Sequence, residues 1–139
     1  MAAMLTQGDA DAIVTLLKTG QPLSDQVQKA KSQAEIPSLE FVCMQFVQQY
    51  LEDTRHNLET LAGLAVIDRR MVDKIDADFV AGKLRDQLTN ASGQLGVAQT
   101  ALANVSNACG KFTSVRAEAR KVEIFFDDVA TVYKRIGQR

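Results

Sequence analysis

Leu84, Leu88, Ala91, Leu95, Ala98, Leu102, Val105, Cys109 and Phe112 follow one another at spacings of 4, 3, 4, 3, 4, 3, 4 and 3. Sustained over eight steps, this alternation lays an apolar stripe along one side of an α-helix, and a strand period of two cannot generate it. A helix with such a stripe must bury it against other helices. Ala91, Ala98 and Cys109 are small, so a neighbouring helix can come close. Asn90, Ser92, Gly93 and Gly96 are poor helix formers inside the run, each Gly costing about 1 kcal/mol relative to Ala. Continuity of phase across them predicts a single helix, straight or bent, over 69–109, with a turn at 92–96 as the alternative.

A second run, Val115, Ala119, Val122, Phe126, Val129, Tyr133 and Ile136, has the same spacing but a shifted phase. The shift falls at Gly110 to Ser114, which predicts a tight turn with Thr113 or Ser114 as cap of a last helix over 113–137. Phe125 and Val132 widen its stripe to the breadth of a globular bundle helix.

Upstream, glycine and proline set the boundaries. Asp9 is placed to cap a first helix to Thr19, Gly20 to end it and Pro22 to break the chain. A second segment, Ser24 to Ala34, keeps Leu23, Val27, Ala30 and Ala34 on one face, so the two pieces form a kinked or two-piece N-terminal arm. Beyond Pro37, a helix is expected over 38–62, followed by a turn at 63–67 with Asp68, Asp76 or Asp78 beginning the next. Short connections make sequential helices antiparallel neighbours. The expected fold is all-α: an up-and-down antiparallel four-helix bundle forming one domain over residues 1–139.

The chain is 46% hydrophobic and 24% charged, the balance of a globular protein, with a net charge of −1. No global field points to nucleic acid or an anionic membrane. No segment reaches the ~20 apolar residues of a membrane span. Asp9 and Asp11 precede the first apolar run, unlike the basic start of a secretory leader, so the expected location is the cytoplasm. There, Cys43 and Cys109 read as buried free thiols sharing one core layer. Charge is uneven along the chain: residues 1–60 hold eight acids and four bases, and residues 111–139 four acids and seven bases. A basic last helix leaning on an acidic first half accounts for this. An anion or nucleic-acid site at Arg116, Arg120 and Lys121 is the other reading, although Glu118 and Glu123 dilute that patch.

Catalytic constellations are missing from the sequence. One histidine cannot supply the paired Glu-x-x-His motifs of a di-iron bundle, and Cys43 and His56 on one helix lie about 20 Å apart, too far to share a zinc ion. Phosphate loops, nucleophile elbows and haem-attachment motifs do not occur. No metal or cofactor is expected. The stretch His56, Asn57, Leu58, Glu59, Thr60, Leu61 is similar to the helix bearing the phosphorylated histidine in two-component phosphotransfer and sensor-kinase dimerisation domains. That resemblance implies a phosphoacceptor at His56. It covers six residues, and Glu59 stands where phosphotransfer domains typically carry Lys.

The remaining feature is an excess of apolar side chains at the start of the helix over 38–62, apolar almost all round. Either the N-terminal arm covers it or it awaits a partner. The function expected from the sequence is therefore a non-enzymatic protein–protein interaction module, an adaptor, chaperone, immunity or assembly protein, acting on a protein partner or by self-association. Phe41, Met44, Phe46, Val47 and Tyr50 are its expected contacts.

Overall fold

The structure, a computed structural model, describes residues 5–70 and 77–138. It is a four-helix bundle: α1 (Gln7–Gln33), α2 (Leu39–Arg70), α3 (Ala77–Ala108) and α4 (Thr113–Gly137), with no strand among the described residues. Each helix packs on the next and α4 closes back onto α1; α2 also touches α4 across the bundle, whereas α1 and α3 do not meet among the described residues. Cross-helix bonds fix the directions. Lys31 Nζ donates to Gln48 and Arg55 to Gln21, so α1 and α2 run antiparallel. Asn57 donates to Gln94 Oε1 at 2.7 Å between α2 and α3, and Lys121 donates to Gln26 between α4 and α1.

The two apolar runs become the inner faces of α3 and α4. Leu84, Leu88, Ala91, Leu95, Ala98, Leu102 and Cys109 are buried, as are Val115, Ala119, Val122, Phe126, Val129, Tyr133 and Ile136, all in one continuous core with α1 and α2. No turn interrupts 92–96. Gly93 and Gly96 are exposed, and a Cβ at either would meet nothing within 4 Å. Their flexibility is overcome by the buried leucines on the opposite side of the same turns.

Three expectations are corrected. The N-terminal arm is one helix, continuous through Pro22, not two pieces. Asp9, Ile13, Leu16, Gly20, Leu23 and Val27 recur at spacings of 4, 3, 4, 3 and 4 and are all buried. Packing along the whole stripe outweighs the hydrogen bond that proline removes. Gly20 does not end the helix but lets α1 approach its neighbours, since a Cβ there would sit 3.1 Å from the Phe125 ring and 3.4 Å from Arg55. The cap lies earlier than expected: Thr6 accepts from the Asp9 backbone at 3.1 Å, while the Asp9 carboxylate accepts from the Thr6 N–H at 3.2 Å, a reciprocal capping box.

The second correction concerns α2, which begins as expected, with the Ser38 hydroxyl accepting from Phe41 N–H, but continues past 63–67 to Arg70. Asp68 is thus inside a helix, Asp78 lies in the first turn of α3, and Asp76 lies outside the described residues. Phe112, without a side-chain cap bond, takes the N-cap position of α4 that was expected of Thr113 or Ser114.

The third is chemical. Cys43 and Cys109 do fall in one core layer, but they are joined in a disulfide, with Cα atoms 6.4 Å apart at a sequence separation of 66. Antiparallel packing brings the start of α2 to the end of α3 at a separation the bond can span, and the free-thiol reading had assumed a reducing compartment.

Candidate functional site

The five contact residues expected on α2 divide between core and surface. Met44 and Val47 are fully buried and belong to the interior. Phe41 is half-buried beneath α1, with Lys31 Nζ 6.0 Å from its ring centre. Phe46 is 42% exposed, and Tyr50 stacks beside it with ring centres 6.4 Å apart. Phe46 and Tyr50 thus remain available, and Leu39 and Val42, which the sequence reading did not select, join them as exposed side chains. The N-terminal arm covers one side of α2 and leaves this side bare.

The bare side is one wall of a groove of about 390 Å³ between α2 and α3. Leu39, Val42, Phe46 and Tyr50 form that wall, Ala101, Asn104, Val105 and Ala108 the other, and the Cys43–Cys109 disulfide contributes to the lining. The bond ties the two walls together at the end where α2 begins and α3 finishes, so the groove cannot widen by splaying of these helices there. Short side chains on α3 keep its wall low; Phe46 and Tyr50 make the α2 wall high.

Beyond the groove the surface of α3 continues without charge. Between Asp86 and Lys111 not one residue is ionisable as an acid or base, a run of 24 residues in a chain where charges make up 24%. The outward stripe of that run is Gly93, Val97, Thr100 and Asn104, all exposed, with Val97 at 71% the most exposed large apolar side chain of the bundle. Residues 41–51 of α2, beside it, are also uncharged. Elsewhere the surface is ordinary: α1 carries Asp and Lys, and α4 Lys, Arg, Asp and Glu. Depletion of charge with aromatic and apolar exposure marks the core of a protein interface. The signal is legible in the sequence as a gap in charge, which neither motifs nor apolar periodicity carry.

The other expected sites are less complete. His56 is exposed on α2, as a phosphoacceptor requires, and its neighbours one helical turn away, Asp53 and Glu59, are exposed acids. Arg55, which could balance a phosphoryl group, is turned away into a bidentate contact with Glu52 and a bond to Gln21. On α4, Arg116 is exposed, but Arg120 pairs with Glu123 at 3.4 Å and Lys121 with the buried Glu118 at 3.0 Å. Two of the three proposed anion-binding bases are therefore already engaged by acids on their own helix. Among the described residues no group of His, Cys, Asp and Glu could hold a metal ion, and no helix is long and apolar enough to cross a membrane.

Among the buried polar groups, Tyr133 and Asp9 lie on the side of the bundle formed by α1 and α4. Burial pushes the Tyr133 hydroxyl well above the ordinary phenol range, and that oxygen has no hydrogen-bond partner among the described residues. Asp9, 1% exposed, faces Arg135 Nε at 3.7 Å and ties the end of α4 to the start of α1. Both belong to the bundle interior, remote in sequence from the α2–α3 groove. Comparison of the chain with protein-family models, with characterised proteins and with solved structures finds no match.

Proposed function

We propose that this chain is a non-enzymatic interaction module whose working surface is the uncharged face of α2 and α3. The observation that supports it most is the coincidence, on one side of the bundle, of the groove walled by Phe46 and Tyr50 with the charge-free last 22 residues of α3, 87–108. An exposed face of this kind is costly to solubility when left bare and favourable when covered. Its partner is a protein surface that presents few charges, because a charged group brought against this face would lose water and gain no counter-ion.

The disulfide supports a working environment in which such bonds persist, in place of the cytoplasmic placement suggested by the start of the chain. The test is association by the whole chain with and without Phe46→Asp. Its side chain is exposed, so the melting temperature should stay within about 2 °C while binding to native partners is lost. Co-purification from the native source that is the same for wild type and variant refutes the reading.

A second reading, histidine phosphotransfer through His56, is favoured by the exposure of that imidazole. It predicts acid-labile labelling of wild type, and not of His56→Gln, by a small phosphodonor; absence of labelling ends it.

A further inference from the structure

The uncharged run, which covers α3 from Gln87 to its end and continues into the turn, is bounded by charges of opposite sign, Asp86 on the helix and Lys111 in the turn after it. At about 100° per residue, positions 86, 93, 97, 100 and 104 lie within about 30° of one line along α3, and Lys111 follows in the turn three residues past its last residue, Ala108. All six residues are exposed. Neither Asp86 nor Lys111 makes an ion pair among the described residues; Lys111 Nζ rests 5.2 Å from the Phe112 ring.

In sequence the spacings from Asp86 through this line to Lys111, 7, 4, 3, 4 and 7, read the same in both directions. Reversed about its midpoint, the stripe sets Gly93 against Asn104, Gly96 against Ala101 and Val97 against Thr100, so that the absent side chains of the glycines face larger ones. It also sets Asp86 against Lys111. Head-to-head superposition would do the opposite, bringing Asp86 onto Asp86 and Lys111 onto Lys111.

We propose that the occupant of this face is a second copy of the chain, with the two α3 helices antiparallel about a two-fold axis near residues 98 and 99, and with Asp86 and Lys111 of one copy paired to Lys111 and Asp86 of the other. The proposal rests on the interaction reading above and specifies its partner. A two-fold axis requires a surface that complements itself, and this stripe does so in both size and charge. Antiparallel α3 helices also align their dipoles favourably. The available area agrees: the 22 uncharged helical residues 87–108 at ~1.5 Å and ~10 Å of width, with the adjoining ridge of Leu39, Val42 and Phe46, offer roughly 500 Å² per copy, or about 1,000 Å² in all, the lower bound for a specific pair. The dimer is accordingly weak and forms as concentration rises into the micromolar range.

Sedimentation equilibrium on the full chain, from about 1 μM to 1 mM at low salt, tests this. Wild type should pass from monomer to dimer. Asp86→Lys, which replaces two attractions by two repulsions, should raise the dissociation constant about tenfold or more, with the effect fading at high salt. Lys111→Asp should do the same, and the double exchange Asp86→Lys with Lys111→Asp should return association to within about threefold of wild type. Val97→Glu should abolish it. All these positions are exposed, so circular dichroism should show the same fold in every variant. A wild type that stays monomeric throughout overturns the proposal while leaving a foreign partner for the face. A dimer indifferent to Asp86 and Lys111, or not rescued by the double exchange, overturns it as well. Loss of the broader reading is separate and is read from unchanged native co-purification of the Phe46→Asp variant.

Discussion

Removing the bond between Cys43 and Cys109 should cost this bundle a large share of its stability. The cross-link spans 66 positions, almost half the chain, and restricts the unfolded state in proportion to the logarithm of that length. The loop-entropy relation gives about 4 kcal/mol at 25 °C for a loop of this size. With an unfolding entropy of roughly 2.1 cal/mol/K per residue, the melting temperature should fall by roughly 15 °C. Two perturbations should agree: reduction of the wild type, with both thiols counted by a thiol reagent in denaturant, and the Cys43→Ser, Cys109→Ser double variant. Scanning calorimetry or circular dichroism melts read the change, and the denatured state should expand, raising the denaturant m-value. The Cys109 sulfur is buried, so the serine variant adds a small polar penalty that the reduced protein lacks; the reduced protein gives the cleaner value. A reduced protein that melts within about 3 °C of the oxidised form would refute the reasoning, because residual structure in the unfolded chain would then already hold the two ends together.

Three further outcomes are expected. Asp9→Ala removes the capping box of α1 and the contact to Arg135, and urea denaturation should show a loss of about 1–2 kcal/mol. Tyr133→Phe removes a buried hydroxyl without a partner, so it should be neutral or stabilising by up to about 1 kcal/mol at pH 7. Because the folded state holds that hydroxyl protonated above its ordinary value of 10.0, wild type should lose stability as pH rises past that point, where the unfolded chain ionises first; the Phe variant should lose less, as stability measured at pH 9 and pH 11 would reveal. Gly93→Ala and Gly96→Ala, where a Cβ meets nothing, should each raise the stability of the dilute monomer by about 1 kcal/mol in thermal melts.

The parts of the fold that follow from apolar spacing were legible before any coordinates. The runs from Leu84 and from Val115 each recur along a whole helix, and tertiary packing has nothing to overrule there. The boundaries at Pro22 and at residues 63–67 were misjudged for one reason. Local signals point to breaks there, while the stripe from Asp9 to Val27 and the buried Leu61 and Ala65 continue the packing through them. The site was half legible. An excess of apolar residues at Phe41 to Tyr50 was visible, but which of them turn outward depends on where α1 and α3 sit, and that placed Met44 and Val47 inside. The bond between the cysteines required knowing that antiparallel helices bring residues 66 positions apart to one layer and that their Cα atoms stop 6.4 Å apart.

With Cys43 linked to Cys109, the backbone from the start of α2 to the end of α3 is a closed covalent ring, and α1 and α4 leave it from the same end. A protease that cuts anywhere between the two cysteines therefore cannot divide the molecule: both fragments should migrate together until reductant is added. The ring also separates two kinds of opening. The outer pair, α1 and α4, could detach as a unit while the helices that form the groove stay tethered, so that surface would be the last part of the bundle to disperse.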